Sequence, residues 1–458
     1  MITRRNLIQL VGAGALAGAA TPAAANPEID PVSGLGVQAL SEGRRRGYTP
    51  VSTPNGRSLP FTMKDGVKQF HLVAEEVEHE FAPGCRAKCW GYNGSTPGPT
   101  IEVVEGDRVR ILVTNKLPEV TSIHWHGILL PNGMDGVTGL TQAGIQPGET
   151  WAYEFTLRQA GSHMYHPHAD EMVQMALGMM GFFIIHPKDG PGNGDADSEP
   201  PVDRDYAIML HNWALHPGTY RPDPSIMQDF DLWTFNSKVY PATAPLLAKT
   251  GERVRIRLGN LSMWNHPMHL HGHRFWVTGS DGDRWPRSSW RPEVTHIVGV
   301  GQMRDFEFIA DNPGDWAFHC HMSHHTMNAM GHGIPNALGV DQSGVEDKIR
   351  SMLPGYMAMG KNGMDDMSDM AGTMGGPANT LPMGGGKGPF GSIDMGGMFT
   401  VLKVRDELKG HADPGWYRHP KGTLAYRVSS DPGLAPATMD KPNDMPGMPD
   451  MPGMKHGS

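Results

Sequence analysis

The feature that most constrains this 458-residue chain is a passage that occurs twice. Thr100 to Asn115 reads as two alternating strands around a Glu105-Gly106-Asp107 turn. Leu247 to Asn260 repeats the pattern around Thr250-Gly251-Glu252, and each copy is followed about ten residues later by a histidine cluster. A repeat at a spacing of about 145 residues implies two homologous β units. They are expected at 65–190 and 203–342, joined by the Pro/Gly/Asp-rich stretch Lys188 to Asp203. A polar, Pro/Gly-rich arm (26–64) precedes them, and a Met/Gly/Pro-rich extension (343–458) follows. The expected fold class is all-β: two Greek-key β-sandwich domains with almost no helix, plus an irregular C-terminal extension. Within that extension, Gly396 to Arg405 looks strand-like.

Composition narrows the function. The net charge of −9 offers no basic stripe, so nucleic-acid binding is not expected. The excess lies in 23 His and 31 Met beside 3 Cys, and His and Met are borderline or soft metal ligands. Fifteen of the methionines lie beyond residue 350, which reads as a flexible extension or as a thioether reservoir for Cu(I). The N-terminus pairs Arg4-Arg5 with a short apolar run, Leu10 to Ala20, and then Ala23-Ala24-Ala25. This is the pattern of a twin-arginine export signal over residues 1–25, and it implies a periplasmic or secreted protein. No segment is apolar over the ~20 residues that span a bilayer, so no membrane role is expected.

Four histidine clusters carry the chemistry: His124-Trp125-His126, His166-Pro167-His168, His266-Pro267-Met268-His269-Leu270-His271, and His319-Cys320-His321 followed by His325 and Met330. In a strand, residues i and i+2 share a face, so each His-x-His delivers two imidazoles to one side. Random placement of 23 His would give about one such pair, and the chain has five. In the last cluster Cys320 faces away from His319 and His321 and is free to bind a different metal. A Cys thiolate, two His (His266, His325) and a weak axial Met (Met330) form the ligand set of a blue-copper electron-transfer site. The peptide bonds from Cys320 to both neighbours would wire that copper to a second centre.

In order and in sequence, the four clusters resemble the copper motifs of the multicopper oxidases, and the strands before them resemble that family's cupredoxin domains. The resemblance covers about residues 65–340. It implies His266, Cys320, His325 and Met330 as type 1 ligands and His124 and His269 as type 2 ligands. It implies His126, His166 and His321 for one type 3 copper, and His168, His271 and His319 for the other. The cofactors would be four coppers per functional unit, one type 1, one type 2 and two type 3, and the reaction a four-electron reduction of O2 to water. With no middle domain, the chain resembles the two-domain laccases, which close the cluster between subunits, usually of a trimer. Pro167 occupies the first domain's cysteine position, with Met172 and Leu177 at the following ligand positions, so only the second domain is expected to hold type 1 copper. The single Cys320 also argues against the two-domain nitrite reductases, whose blue site lies in the first domain.

The resemblance further implies a proton-delivery role for Asp135, and Glu171 is a second candidate; a plain Asp-Gly turn is the alternative for Asp135. Cys85 and Cys89 read either as a disulfide across a sharp turn, which is favoured, or as a copper-binding thiol pair. His163, His273, His324 and His332 sit beside the motifs without matching a ligand position. Met164, Met172, Met175, Met179 and Met180 read as core filler or as a path for cuprous ion. The expected activity is laccase-like. A phenolic or aromatic reductant would dock in a shallow site over His325, which with Cys320 and Asp135 would carry the chemistry. Cu(I) is the alternative reductant, as in a cuprous oxidase for copper tolerance. A periplasmic copper-sequestering protein is the reading from a different class.

Overall fold

A computed structural model describes residues 34–189, 200–216, 218–228, 230–328, 348, 351–352, 378–381 and 385–427. The export signal, most of the linker, Met330, His332 and most of the Met-rich stretch lie outside the described residues. Two β-sandwiches form, as the repeat requires.

In the first domain, β1 (Val67–Ala82) carries β2 (Cys85–Tyr92) on one edge and β4 (Arg108–Asn115) on the other. β3 (Ile101–Val104) lies in the opposing sheet. There β5 (His124–His126) and β8 (Gly181–His186) flank β7 (Gly161–His166), while β6 (Thr150–Thr156) completes the first sheet against β4. β4 alternates as its sequence demands, with Val109, Ile111 and Val113 fully buried. β8 does not alternate: all six residues are buried. Phe183 and Ile185 enter the first core, and Phe182 and Ile184 enter a second core with Ala207, Met209, Leu261 and Met303 of the other domain. The continuous apolar run is thus a strand covered on both faces. Met164 and Met180 fill that same inter-domain core and Met179 the first core, so these three are packing residues, whereas Met172 is exposed.

The second domain repeats the plan. β9 (Arg204–Trp213) pairs with β10 (Leu232–Phe235) and in parallel with β12 (Arg253–Asn260). β14 (Phe275–Ser280) and β16 (Met303–Ile309) extend this sheet. The facing sheet runs β11 (Leu246–Lys249), β18 (Phe399–Arg405), β17 (Gly314–Cys320), β13 (His266–Leu270), β15 (Thr295–Val298). β18 comes from the C-terminal extension, so the second sandwich does not close at residue 342. Leu402 and Val404 of β18 are fully buried in the core. Its approach also pins the loop after β17: the Met398 and Gly396 amides donate to the His325 and Thr326 carbonyls at 2.9 and 2.6 Å.

The arm is not irregular either. Val37–Arg46 is a helix, α1, closed by Gly47 in the left-handed conformation (φ 81°), which donates to the Gly43 carbonyl at 2.7 Å. Its helix formers are flanked by Pro and Gly, which hid it in the composition. Further on, Val51–Ser52 pairs in parallel with Asp205–Tyr206 of the second domain, so the arm laces the two domains together. β2 is extended over Cys85 and Cys89, placing their Cα atoms about 13 Å apart. Both are free and buried, and the favoured disulfide is overturned. Burial pushes the Cys85 thiol up to about 12 and the Cys89 thiol higher, so neither is a ready nucleophile.

Between the domains lies a buried charge network. Val254, Ile256 and Leu258 of β12 face the core, which turns Arg253, Arg255 and Arg257 to the other side. There Arg257 pairs with Asp205 at 2.7 Å and donates to Ser162 of the first domain at 2.7 Å, while Arg253 and Arg255 share Glu307 at 2.6 and 2.9 Å. Burial raises the Glu307 carboxyl, but the Arg255, Arg284 and Arg253 charges outweigh it and hold it far below the ordinary range. Arg257→Ala would leave Asp205 under-paired, and a loss of about 3–5 kcal/mol in urea-induced unfolding is expected.

A second network ties α1 to the first domain: Lys68 bonds Glu42 at 2.9 Å and Asp107 at 2.7 Å. Burial raises Glu42, but hydrogen bonds and charge from Arg45 and Lys68 outweigh it and lower it from 4.5 to about 2. A folded value below the unfolded one means this stabilisation is complete above about pH 4.5 and disappears as pH falls toward about 2. Limited proteolysis should therefore find the arm protected at pH 6 and cleaved as pH drops through that window, and Glu42→Gln should expose it at pH 6.

Candidate metal centres

One cross-strand pair builds both halves of the second domain's chemistry. β13 and β17 pair with His269 opposite His319 and, one residue along, Met268 opposite Cys320. Alternation sends Met268 and Cys320 into the core and the two imidazoles to the other face. Cys320 meets His266 and His325 in the core, and all three are fully buried. The Cys320 Sγ lies 3.6 Å from His266 Nδ1 and 3.3 Å from His325 Nδ1, and those nitrogens are 3.1 Å apart. Donors bound to one tetrahedral ion of zinc's size lie about 3.3–3.6 Å apart, so the trio fits a single small ion. The Ser262 hydroxyl bonds His266 Nε2 at 2.7 Å and fixes which nitrogen faces the cavity. Burial lowers His266 to about 3 and His325 to about 2, leaving both imidazoles neutral, and raises Cys320 to about 12. A protonated thiol between neutral imidazoles requires a metal to displace its proton.

On the opposite face, His269, His271 and His319 converge, with His271 Nε2 and His319 Nε2 3.1 Å apart. His321 joins them, its ring centroid 5.4 Å from that of His269. The remaining nitrogens are tied to backbone: His319 Nδ1 donates to the Cys320 carbonyl at 2.8 Å and His269 Nδ1 to Val294 at 2.7 Å.

The first domain builds a matching quartet. β5 and β7 pair His124 opposite His166, and Trp125 between the two histidines points into the core. His126 Nδ1 lies 3.2 Å from His166 Nε2, and the ring centroids of His166 and His168 are 5.3 and 5.6 Å from that of His124. His124 Nδ1 donates to the Asp135 carbonyl at 2.9 Å, and the Asp135 carboxylate is 3.4 Å from the same nitrogen. Glu171 reaches His166 Nδ1 at 3.4 Å and His168 Nε2 at 3.6 Å. Both carboxylates are therefore placed where protons could be exchanged with the quartet. Among the described residues, no histidine of one quartet contacts one of the other.

The histidines left aside by the motifs separate clearly. His163 is buried at the domain interface under Gly282, and His273 is buried beside Trp316. His324 is exposed and packs edge-on against His325 with centroids 4.3 Å apart. Among the described residues, no shallow site opens over His325. His325 is sealed by Trp233, stacked at 3.6 Å and 19°, with Trp264 at 6.1 Å. Trp233 lies 92 positions before His325 on the far side of the repeat, and no ligand spacing points to it.

Multicopper oxidase family profiles match residues 74–190 and 218–337, together just over half of the chain. Among solved structures, a blue copper oxidase from Nitrosomonas europaea is similar at 26% identity and a TM-score of 0.53, over 73% of this chain and 85% of that one. The multicopper oxidase mgLAC is similar at 33% identity and a TM-score of 0.51, over 60% of this chain and 89% of that one. Copper resistance protein A of Escherichia coli is 38% identical over 34% of this chain and 24% of its own length. The chain spans about a third or less of the length of such curated relatives. Two matched domains, each with its own imidazole quartet, and one buried thiol site make this chain a member of the multicopper oxidase family, copper-dependent oxidoreductases that pass electrons from a reductant to O2.

Proposed function

We propose that this protein oxidises phenolic or aromatic donors one electron at a time at a type 1 copper and reduces O2 to water at a three-copper cluster. One observation carries the reading: buried Cys320 is bonded through the chain to His319 and His321, which are themselves members of the second quartet. His266, Cys320 and His325 would hold the type 1 copper, and Met330, which lies outside the described residues, is the fourth ligand the sequence motif implies. The copper supplies a one-electron acceptor there; the protein's part is to keep water out and fix the donor geometry. His124 and His269 would hold the type 2 copper, and the other six imidazoles the type 3 pair. Asp135 and Glu171 would hold and pass the protons that O2 reduction consumes.

The separation of the quartets supports a cluster closed between subunits, His124, His126, His166 and His168 of one chain meeting His269, His271, His319 and His321 of the next. A head-to-tail ring, such as a trimer, satisfies both quartets by symmetry. Exposed apolar residues flank each: Leu129, Leu140 and Met172 in the first domain, and Val294, Ile297 and Val300 in the second. Export through the twin-arginine route fits a protein that folds before crossing.

Likeness to copper resistance proteins favours a second reading, Cu(I) as the reductant. Steady-state O2 uptake by the copper-loaded protein, with 2,6-dimethoxyphenol and then Cu(I), separates the two. Excising 353–377 tests the Met-rich segment without removing β18. Phenol turnover that survives excision supports the first reading; Cu(I) turnover that collapses supports the second. Cys320→Ser should abolish blue absorption and turnover with either donor, while retained turnover would contradict the oxidase reading. Leu140→Asp should shift the sedimentation coefficient toward a monomer and lower cluster copper, with the blue absorption retained.

A further inference from the structure

The seal over His325 has a consequence for how a donor delivers its electron. His325 is fully buried, and its Nε2 has no hydrogen-bond partner among the described residues. In an open site that nitrogen would meet water or the donor's hydroxyl. Here Trp233 covers the ring face, held by Phe230 edge-on at 5.7 Å and by Trp264 at 6.3 Å. Leaving a buried N–H unsatisfied is unfavourable, so the covering contacts must outweigh it. Outside this layer, Trp264 is only partly buried and His324 is exposed, their rings 6.2 Å apart. Met263, beside Trp264, is 55% exposed.

We propose that Trp233 is a fixed lid on the thiolate site, and that an aromatic donor docks on Trp264 beside His324 without touching His325. This rests on the oxidase reading. The donor, a phenol, gives one electron, which crosses the packed rings to the metal held by Cys320, His266 and His325. Its hydroxyl proton leaves to solvent or His324, and the product is a phenoxyl radical. The tryptophans end the step unchanged. Selectivity then comes from stacking on Trp264 rather than from the shape of a pocket over His325.

Two readouts test this. Diethylpyrocarbonate labelling of the copper-free full-length chain, mapped by mass spectrometry, should modify His324 and spare His325. Trp233→Ala should raise labelling of His325 at least about tenfold, because the ring would no longer have to open first. Trp233→Phe, which keeps an aromatic cover, should restore protection. Rapid labelling of His325 in the unaltered protein would overturn the lid. In the copper-loaded enzyme, Trp264→Ala should raise KM for 2,6-dimethoxyphenol about tenfold relative to that for hexacyanoferrate(II), which needs no stacking. Equal changes for both donors would overturn the docking point. Absence of hexacyanoferrate(II) oxidation in the unaltered enzyme would instead remove the oxidase reading, with the labelling still deciding the lid.

Discussion

Everything in the second domain depends on one antiparallel register, His269 opposite His319 and Met268 opposite Cys320. A strand has two faces and a period of two, so this register sorts a thiol and imidazoles to opposite sides within one residue. A slip by one would bury the imidazoles and expose the thiol. The register is held from outside the motif. The core face is locked by Phe318 and Leu270, and β18 pairs along the other edge of β17. The C-terminal extension is therefore part of the metal-binding scaffold, because the backbone on its approach to β18 bonds the loop that carries His325.

The same economy appears between the domains. β8 is apolar on both faces, so the two sandwiches share a core rather than a hinge. Charge enters that interface as a neutralised set, the arginines of β12 against Asp205, Asp305 and Glu307. Such a set adds less net stability than an apolar core, but it penalises any arrangement that leaves a charge unpaired. The packing therefore fixes the orientation of the two quartets, which do not meet within one chain.

What could be read from the sequence was what has a period. The two sandwiches follow from the repeated strand passage, and the quartets follow from His-x-His on alternating strands. The side of Cys320 follows from its place between two histidines. What stayed hidden has no period. Trp233 reaches His325 only through the fold, from a strand of the opposite sheet. α1 was masked by neighbouring Pro and Gly, although most of Gln38 to Arg46 are good helix formers. Cys85 and Cys89 show the reverse error: a compartment argument favoured a disulfide that an extended strand forbids. The strand-like look of Gly396 to Arg405 was visible, but its partners were not, since parallel pairing to β11 bridges about 155 residues.

The central proposal is that one chain holds the thiolate site and two half-sites that a second subunit completes. The copper anomalous-difference map of a crystal of the loaded protein tests it most directly. The account predicts one copper among His266, Cys320 and His325 within a protomer. It predicts three more between His124, His126, His166 and His168 of one protomer and His269, His271, His319 and His321 of a neighbour. Three coppers held between the two quartets of a single chain, or none outside the thiolate site, would contradict it.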